Sequence, residues 1–286
     1  MTSNSRADAV FRSTIRKATV GISALVAGCS SAGEEPKRQP EIVGATHQAV
    51  SNHNVQVGVR CEQAFSYDWQ PPIVPSNGRC TNFLNTMSEN EEVGFYYNLR
   101  GANWALEEPD TCGWPCGNAD SVDFFFMSTH GYTQPNWTFS EWAMWDIGKW
   151  ALTSNMRLGN SGRQNMVLAT FACDTHATDS TTWNRWIQPF AGGMVVTVGG
   201  HGNLYDGETQ QGTEYAQRLT YNTEPIGYAW LESVWYADNN NTPTAINTGA
   251  NQSDCWVRSN TTLDTLFSAP ILRDGAIGYM CWSSWN

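Results

Sequence analysis

Four stretches of the chain are apolar on successive residues or on alternate ones, and each predicts a β-strand. Val55-Gln56-Val57-Gly58-Val59 alternates with period two, as a strand with one buried face does. Val122 to Met127, with Phe124-Phe125-Phe126 at its centre, is apolar on both faces, and Met166 to Phe171 and Met194 to Val198 read the same way. Short runs of this kind suit strands covered on both sides, as in a parallel sheet between helices. A helical period replaces them elsewhere. Thr181 to Phe190 sets Trp183, Trp186, Ile187 and Phe190 on one face, and Gln210 to Leu219 and Ile226 to Tyr236 are further candidates. Phe139, Trp142 and Trp145, three apart, read as a buried helical stripe or as the rim of a cleft. Strands alternating with helices predict an α/β layered sheet, whose reactive groups sit in loops beyond the carboxyl ends of the strands.

The amino terminus departs from this pattern. Residues 1–18 carry four basic groups, and Val20 to Gly28 is an apolar and small-residue run too short to span a bilayer. It fits the h-region of a secretory signal. Its end, Leu25-Val26-Ala27-Gly28-Cys29, resembles the lipobox of bacterial lipoproteins, which implies that residues 1–28 are removed and that Cys29 carries the lipid. The alternative is an ordinary signal peptide with an incidental Cys. Residues 29–52 read as a tether, with Ser30, Ser31, Gly33, Pro36 and Pro40 among charges and no apolar period to bury. The expected working part is residues 53–286: a core over about 55–240 and a disulfide-stabilised extension over about 241–286. Export to the periplasm or cell surface follows, with the membrane reached only through the lipid.

Composition then narrows the partners. The formal charge is −11, and without residues 1–28 there remain 12 basic and 26 acidic groups, a charge of −14. A polyanion repels phosphate backbones, so nucleic acid is an unsuitable partner. The acid excess either attracts basic peptides or only keeps the surface soluble; no local Asp/Glu cluster marks the motifs below, although Glu141, Asp174 and Asp206 are available.

Two of the strand ends carry chemistry. One strand runs into Ser128-Thr129-His130-Gly131, the other into Ala172-Cys173-Asp174-Thr175, with His and Cys 43 residues apart. A thiol becomes a strong nucleophile as thiolate, and a nearby imidazole promotes that state. A Gly after the His lets an amide approach the substrate closely enough to stabilise an oxyanion. In these residues the chain resembles the caspase-like (clan CD) cysteine peptidases, among them caspases, legumains, gingipains and clostripain. Their pattern is a hydrophobic strand before His-Gly and a second one ending in Ala-Cys. It is also similar in layout to bacterial secreted proteins with Gly-His-Gly and Asp-Ala-Cys versions of that pattern. The resemblance covers about residues 55–240 and implies a three-layer α/β/α sandwich with a mostly parallel sheet. It implies Cys173 as nucleophile, His130 as general acid–base, and the amides of Gly131 and Cys173 as the oxyanion hole. The substrate would be a peptide or protein, with no metal or organic cofactor in the chemistry. Asp174-Thr175-His176 matches neither the caspase nor the legumain continuation, so specificity does not carry over, and hydrolysis is not separated from ligation.

Other residues keep simpler readings open. His201, in Val198-Gly199-Gly200-His201-Gly202, either shapes a pocket or sits in a plain Gly-rich turn, and His176 either bonds locally or starts a helix. His47 and His53 fall in or near the tether. Cys112-Gly113-Trp114-Pro115-Cys116 has no second pair at zinc spacing. Six cysteines allow 15 connectivities; sequence proximity favours Cys61–Cys80, Cys112–Cys116 and Cys255–Cys281, leaving Cys29 and Cys173 unpaired. The chain also has 14 Trp, with Trp137, Trp142, Trp145 and Trp150 just after the His loop and Trp282 and Trp285 at its end. Exposed, they would suit a glycan-binding or adhesion module on the same fold; buried, they fill the core.

Overall fold

The computed structural model describes residues 55–62, 65, 72–98, 104–107, 118–144, 150–159, 165–205 and 209–286. The signal peptide, Cys29, the tether, His47, His53, the Cys112–Cys116 pair, Trp145 and Asp206 lie outside the described residues.

Among the described residues the strands are β1 (Gln56–Cys61), β2 (Glu92–Asn98), β3 (Phe124–Ser128), β4 (Gly131–Tyr132), β5 (Glu141–Ala143), β6 (Trp150–Leu152), β7 (Val167–Phe171), β8 (Val196–Gly200), β9 (Pro243–Gly249) and β10 (Tyr279–Ser284). The helices are α1 (Val74–Met87), α2 (Trp104–Glu107), α3 (Thr182–Phe190), α4 (Gln210–Thr220), α5 (Ile226–Ala237) and α6 (Gln252–Arg258). Seven strands form one sheet in the order β10-β9-β8-β7-β3-β1-β2, and β4-β5-β6 form a small antiparallel one. The pairs from β2 through β8 are parallel; β9 runs antiparallel to both β8 and β10. The expected α/β architecture, a mostly parallel sheet covered by helices, is the one found.

Alternation along the strands splits the core in two. Phe124 and Phe126 of β3, with Val167, Ala169 and Phe171 of β7, face a cluster that includes Phe83 of α1, Tyr215 of α4 and Trp230 of α5. Phe125, Met127 and Leu168 face the other way, onto Trp142, Trp186 and Phe190. Both faces being dry explains the nearly continuous apolar runs of these two central strands.

Three sequence expectations are corrected. Phe139, Trp142 and Trp145 do not define a helix: residues 141–143 form the middle strand of the small sheet, and the buried Trp142 is its inward residue. Trp183 does not share the buried face of α3, being 39% exposed while Trp186 and Phe190 are covered. Most importantly, Cys173 is not unpaired. It is disulfide-bonded, and its partner lies outside the described residues.

The expected Cys61–Cys80 and Cys255–Cys281 disulfides are present, tying the end of β1 to α1 and α6 to β10. Such bonds belong to an oxidising compartment. Residues 241–286 supply β9, α6 and β10, hence two strands of the main sheet. Among the described residues no helix is long and apolar enough to cross a membrane.

Candidate active site

β3 and β7 are parallel neighbours, and Ser128 pairs with Phe171 as the last rung of their ladder. Thr129 N–H extends the contact to Phe171 O at 3.1 Å. His130 and Cys173 therefore each stand two residues past the same rung, on strands about 4.8 Å apart. This is the convergence expected from the two motifs.

The ring of His130 lies 5.0 Å from that of Phe65. Its carbonyl accepts Ala143 N–H at 2.9 Å. That bond makes Gly131 and Trp142 a non-hydrogen-bonded pair of the β4–β5 ladder, so Gly131 N–H turns away from β5. Gly131 has no room for a side chain. A Cβ there would sit 2.3 Å from Thr175 Cγ2, 2.5 Å from Cys173 O and 2.9 Å from Ala172 Cβ. The glycine lets the hairpin lie directly on the turn that carries the cysteine.

That turn is tightly held. Asp174 takes a left-handed conformation (φ 55°), and its N–H donates to Gly202 O at 2.8 Å. His176 N–H donates to Gly200 O at 2.8 Å, and Ser140 Oγ from the hairpin donates to Thr175 O at 2.6 Å. The sulfur of Cys173 accepts Leu204 N–H at 3.3 Å. Once reduced, the same amide would stabilise a thiolate. Burial raises the Asp174 carboxyl above its ordinary range, and His201 partly offsets this.

Two residues of this site carry no signal that sequence reasoning used. One is Leu204, a backbone donor with no side-chain signature. The other is Arg79 of α1, wholly buried, which donates to Ser128 Oγ at 2.9 Å and to Gln211 Oε1 at 2.8 Å. Its guanidinium lies 3.6 Å over the Phe171 ring, setting a positive charge behind the strand ends. The space between Ile73, Ser128, Thr129, Phe171, Cys173 and Leu204 is about 10 Å³, roughly one water.

The rival histidines are otherwise engaged. His176 is fully buried, bonded to Thr175 Oγ1 at 2.9 Å and Thr197 Oγ1 at 2.8 Å, with its ring 4.4 Å from that of Trp186. Thr197 Oγ1 also donates to Leu168 O at 3.0 Å, and Thr175 Oγ1 to Ala172 O at 3.3 Å. Burial, helped by Arg185, lowers its pKa well below 6.5, which favours the neutral ring. His201 is bonded through Nδ1 to Thr244 Oγ1 (2.7 Å) and through Nε2 to Asn286 Oδ1 (2.6 Å). Among the described residues no group of three or more His, Cys, Asp or Glu is placed to hold a metal ion.

The tryptophans divide. Trp142, Trp186 and Trp230 are core, Trp285 packs against Tyr228 and Trp235, and Trp282 is 41% exposed.

Among solved structures, the Drosophila initiator caspase Dronc is similar at a TM-score of 0.37 and 14% identity, over 71% of this chain and 84% of that one. No curated protein matches the chain. A family model described as a domain of unknown function, DUF6345, matches residues 70–276, and the chain belongs to that family.

Proposed function

We propose that the chain is a thiol-dependent peptide-bond hydrolase whose nucleophile is Cys173 and whose general acid–base is His130. The observation that supports this reading is their common register, two residues beyond the Ser128–Phe171 rung. The disulfide at Cys173 must first be exchanged with an external thiol, which leaves a mixed disulfide on the partner cysteine and a thiol on Cys173. His130 takes that proton as sulfur attacks the carbonyl carbon, and returns it to the departing amine. Water then resolves the thioester, releasing the acid and restoring the thiol. Gly131 and Cys173 amides are the expected donors to the oxyanion.

The full chain, with and without dithiothreitol, should be assayed on a peptide library beside Cys173→Ala and His130→Ala. Turnover that appears on reduction and vanishes in both variants is expected. Activity surviving both substitutions discards the dyad.

A second reading, a catalytically unused fold serving as a surface glycan- or protein-binding or adhesion module, is favoured by two observations. Cys173 is oxidised and the space beside it is small. Iodoacetamide distinguishes the two. After mild reduction an activated Cys173 labels at mildly acidic pH, where an ordinary thiol is mostly protonated. A folded chain that does not label there is the binding module. Lipid on Cys29 and removal of residues 1–28 are proposed on the lipobox resemblance alone, and intact-mass spectrometry of the native protein tests them.

A further inference from the structure

The β4–β5 hairpin begins immediately after His130, and its two faces differ. Trp142 faces inward, edge-on to His176 and Trp186. Tyr132 and Glu141, directly opposite each other in the ladder, share the outward face. Tyr132 is 36% exposed, and its ring meets Trp137 edge-on at 5.7 Å. Trp137 in turn stacks on Phe139 at 4.7 Å. Three connected rings and one carboxyl thus form a ridge beside the catalytic histidine.

The ridge is built rather than loose. At its tip Trp137 O accepts from Arg185 Nη2 at 2.9 Å and from Thr181 Oγ1 at 2.9 Å. At its root Thr133 Oγ1 donates to Ser140 Oγ at 2.7 Å, and Ser140 Oγ to Thr175 O. Within this frame Glu141 is half-buried and takes part in none of these hydrogen bonds or ion pairs. Burial, with no donor among the described residues to offset it, pushes its carboxyl up to about 7. Asp174, on the turn that Ser140 grips, likewise has no hydrogen bond or ion pair to its carboxyl among the described residues. Two acids without ion-pair partners there flank the strand ends in a chain of net charge −11.

We propose that Tyr132, Trp137, Phe139 and Glu141 form a subsite that receives a lysine or arginine side chain of the peptide substrate. A cation is held over aromatic faces and makes a charge-assisted bond to a carboxylate. An acidic side chain would be repelled by both acids, and a purely apolar one would leave Glu141 still unpaired. The inference rests on the peptidase reading for the word substrate, but binding tests it without turnover.

The oxidised chain, in which the sulfur is tied, and the Cys173→Ala chain should be titrated with fluorescein-labelled Ala-Ala-X-Ala peptides, X being Lys, Gln or Glu. The Lys peptide is expected to bind at least about tenfold tighter than the Gln peptide, with Glu weakest. Glu141→Gln should remove the Lys preference, and Tyr132→Leu should weaken it. Thermal midpoints confirm that each variant is folded. Equal affinities, no binding in either chain, or a preference that survives Glu141→Gln and disappears only in Asp174→Asn would overturn the proposal. A kept Lys preference without hydrolysis after reduction would instead overturn the peptidase reading alone.

Discussion

His130 and His176 stand in regions that resemble each other in outline and differ in state. Both follow the ends of neighbouring parallel strands, His176 three residues after Cys173 and His130 across the last rung from it. His176 has a hydroxyl on each nitrogen, an indole against its ring and no solvent. His130 is 7% exposed, with its ring against that of Phe65 and its carbonyl joined to β5. Nearness to a cysteine therefore does not make a base. Chemistry needs a ring whose partners still permit a proton to come and go, and a buried ring with a hydroxyl against each nitrogen does not meet that need.

The largest effect should come from exchanging their fates. In the reduced chain His130→Ala is expected to lower kcat/KM by about 100-fold to 10,000-fold with an unchanged thermal midpoint. His176→Ala should cost about 3 kcal/mol of stability in urea unfolding while the folded fraction keeps its rate. The reverse outcome would assign the roles the other way round. Two glycines carry the comparison further. Gly131→Ala drives a methyl into Cys173 O and Thr175, while Gly199→Ala places one 2.1 Å from His176 Nδ1. Each should cost about 1–3 kcal/mol as overpacking. Only Gly131→Ala should also slow turnover at temperatures where both variants are folded.

The pH dependence of stability follows from the two shifted groups. The folded pKa of His176 is depressed, so its contribution is present above 6.5 and is lost as pH falls below that value. Glu141 is raised from 4.5 to about 7, so its contribution is present below 4.5 and is lost as pH rises through 7. Urea midpoints should decline on both sides, and Glu141→Gln should remove the alkaline decline only. The smallest expected effect concerns Arg79. Arg79→Met should move the pH profile of Cys173 alkylation in the reduced chain upward by about one unit, because a thiolate loses a nearby cation.

The central strands are legible in the sequence because only Thr170 interrupts their apolar runs: Phe124 to Met127 and Val167 to Phe171 announce two dry faces. The two strand-end motifs follow from their position after those runs. α1 is not legible, since its buried stripe is Ser76, Arg79, Cys80, Phe83 and Met87, in which a guanidinium and a disulfide occupy core positions. β9 hides for a similar reason, with Thr244, Asn247 and Thr248 buried in a strand that reads as polar. The hairpin misleads because aromatic residues three apart also occur where a short strand alternates between layers. Oxidation of Cys173 depends on a contact distant in sequence, which spacing cannot encode.

Arg185 gives the hairpin a property that its rings alone would not have. Its side chain is fully buried and joins Trp137 O and Ala177 O to Asp179 and Thr181, so the tip of the ridge is fastened to the start of α3. The same charge opposes protonation of His176. One guanidinium thus works as a rivet between a surface loop and the layer beneath it. The ordering cost of the loop is met during folding instead of at each encounter, so an incoming peptide must adapt to a fixed template. Selectivity would then be set by fit, and a looser ridge would trade it for breadth.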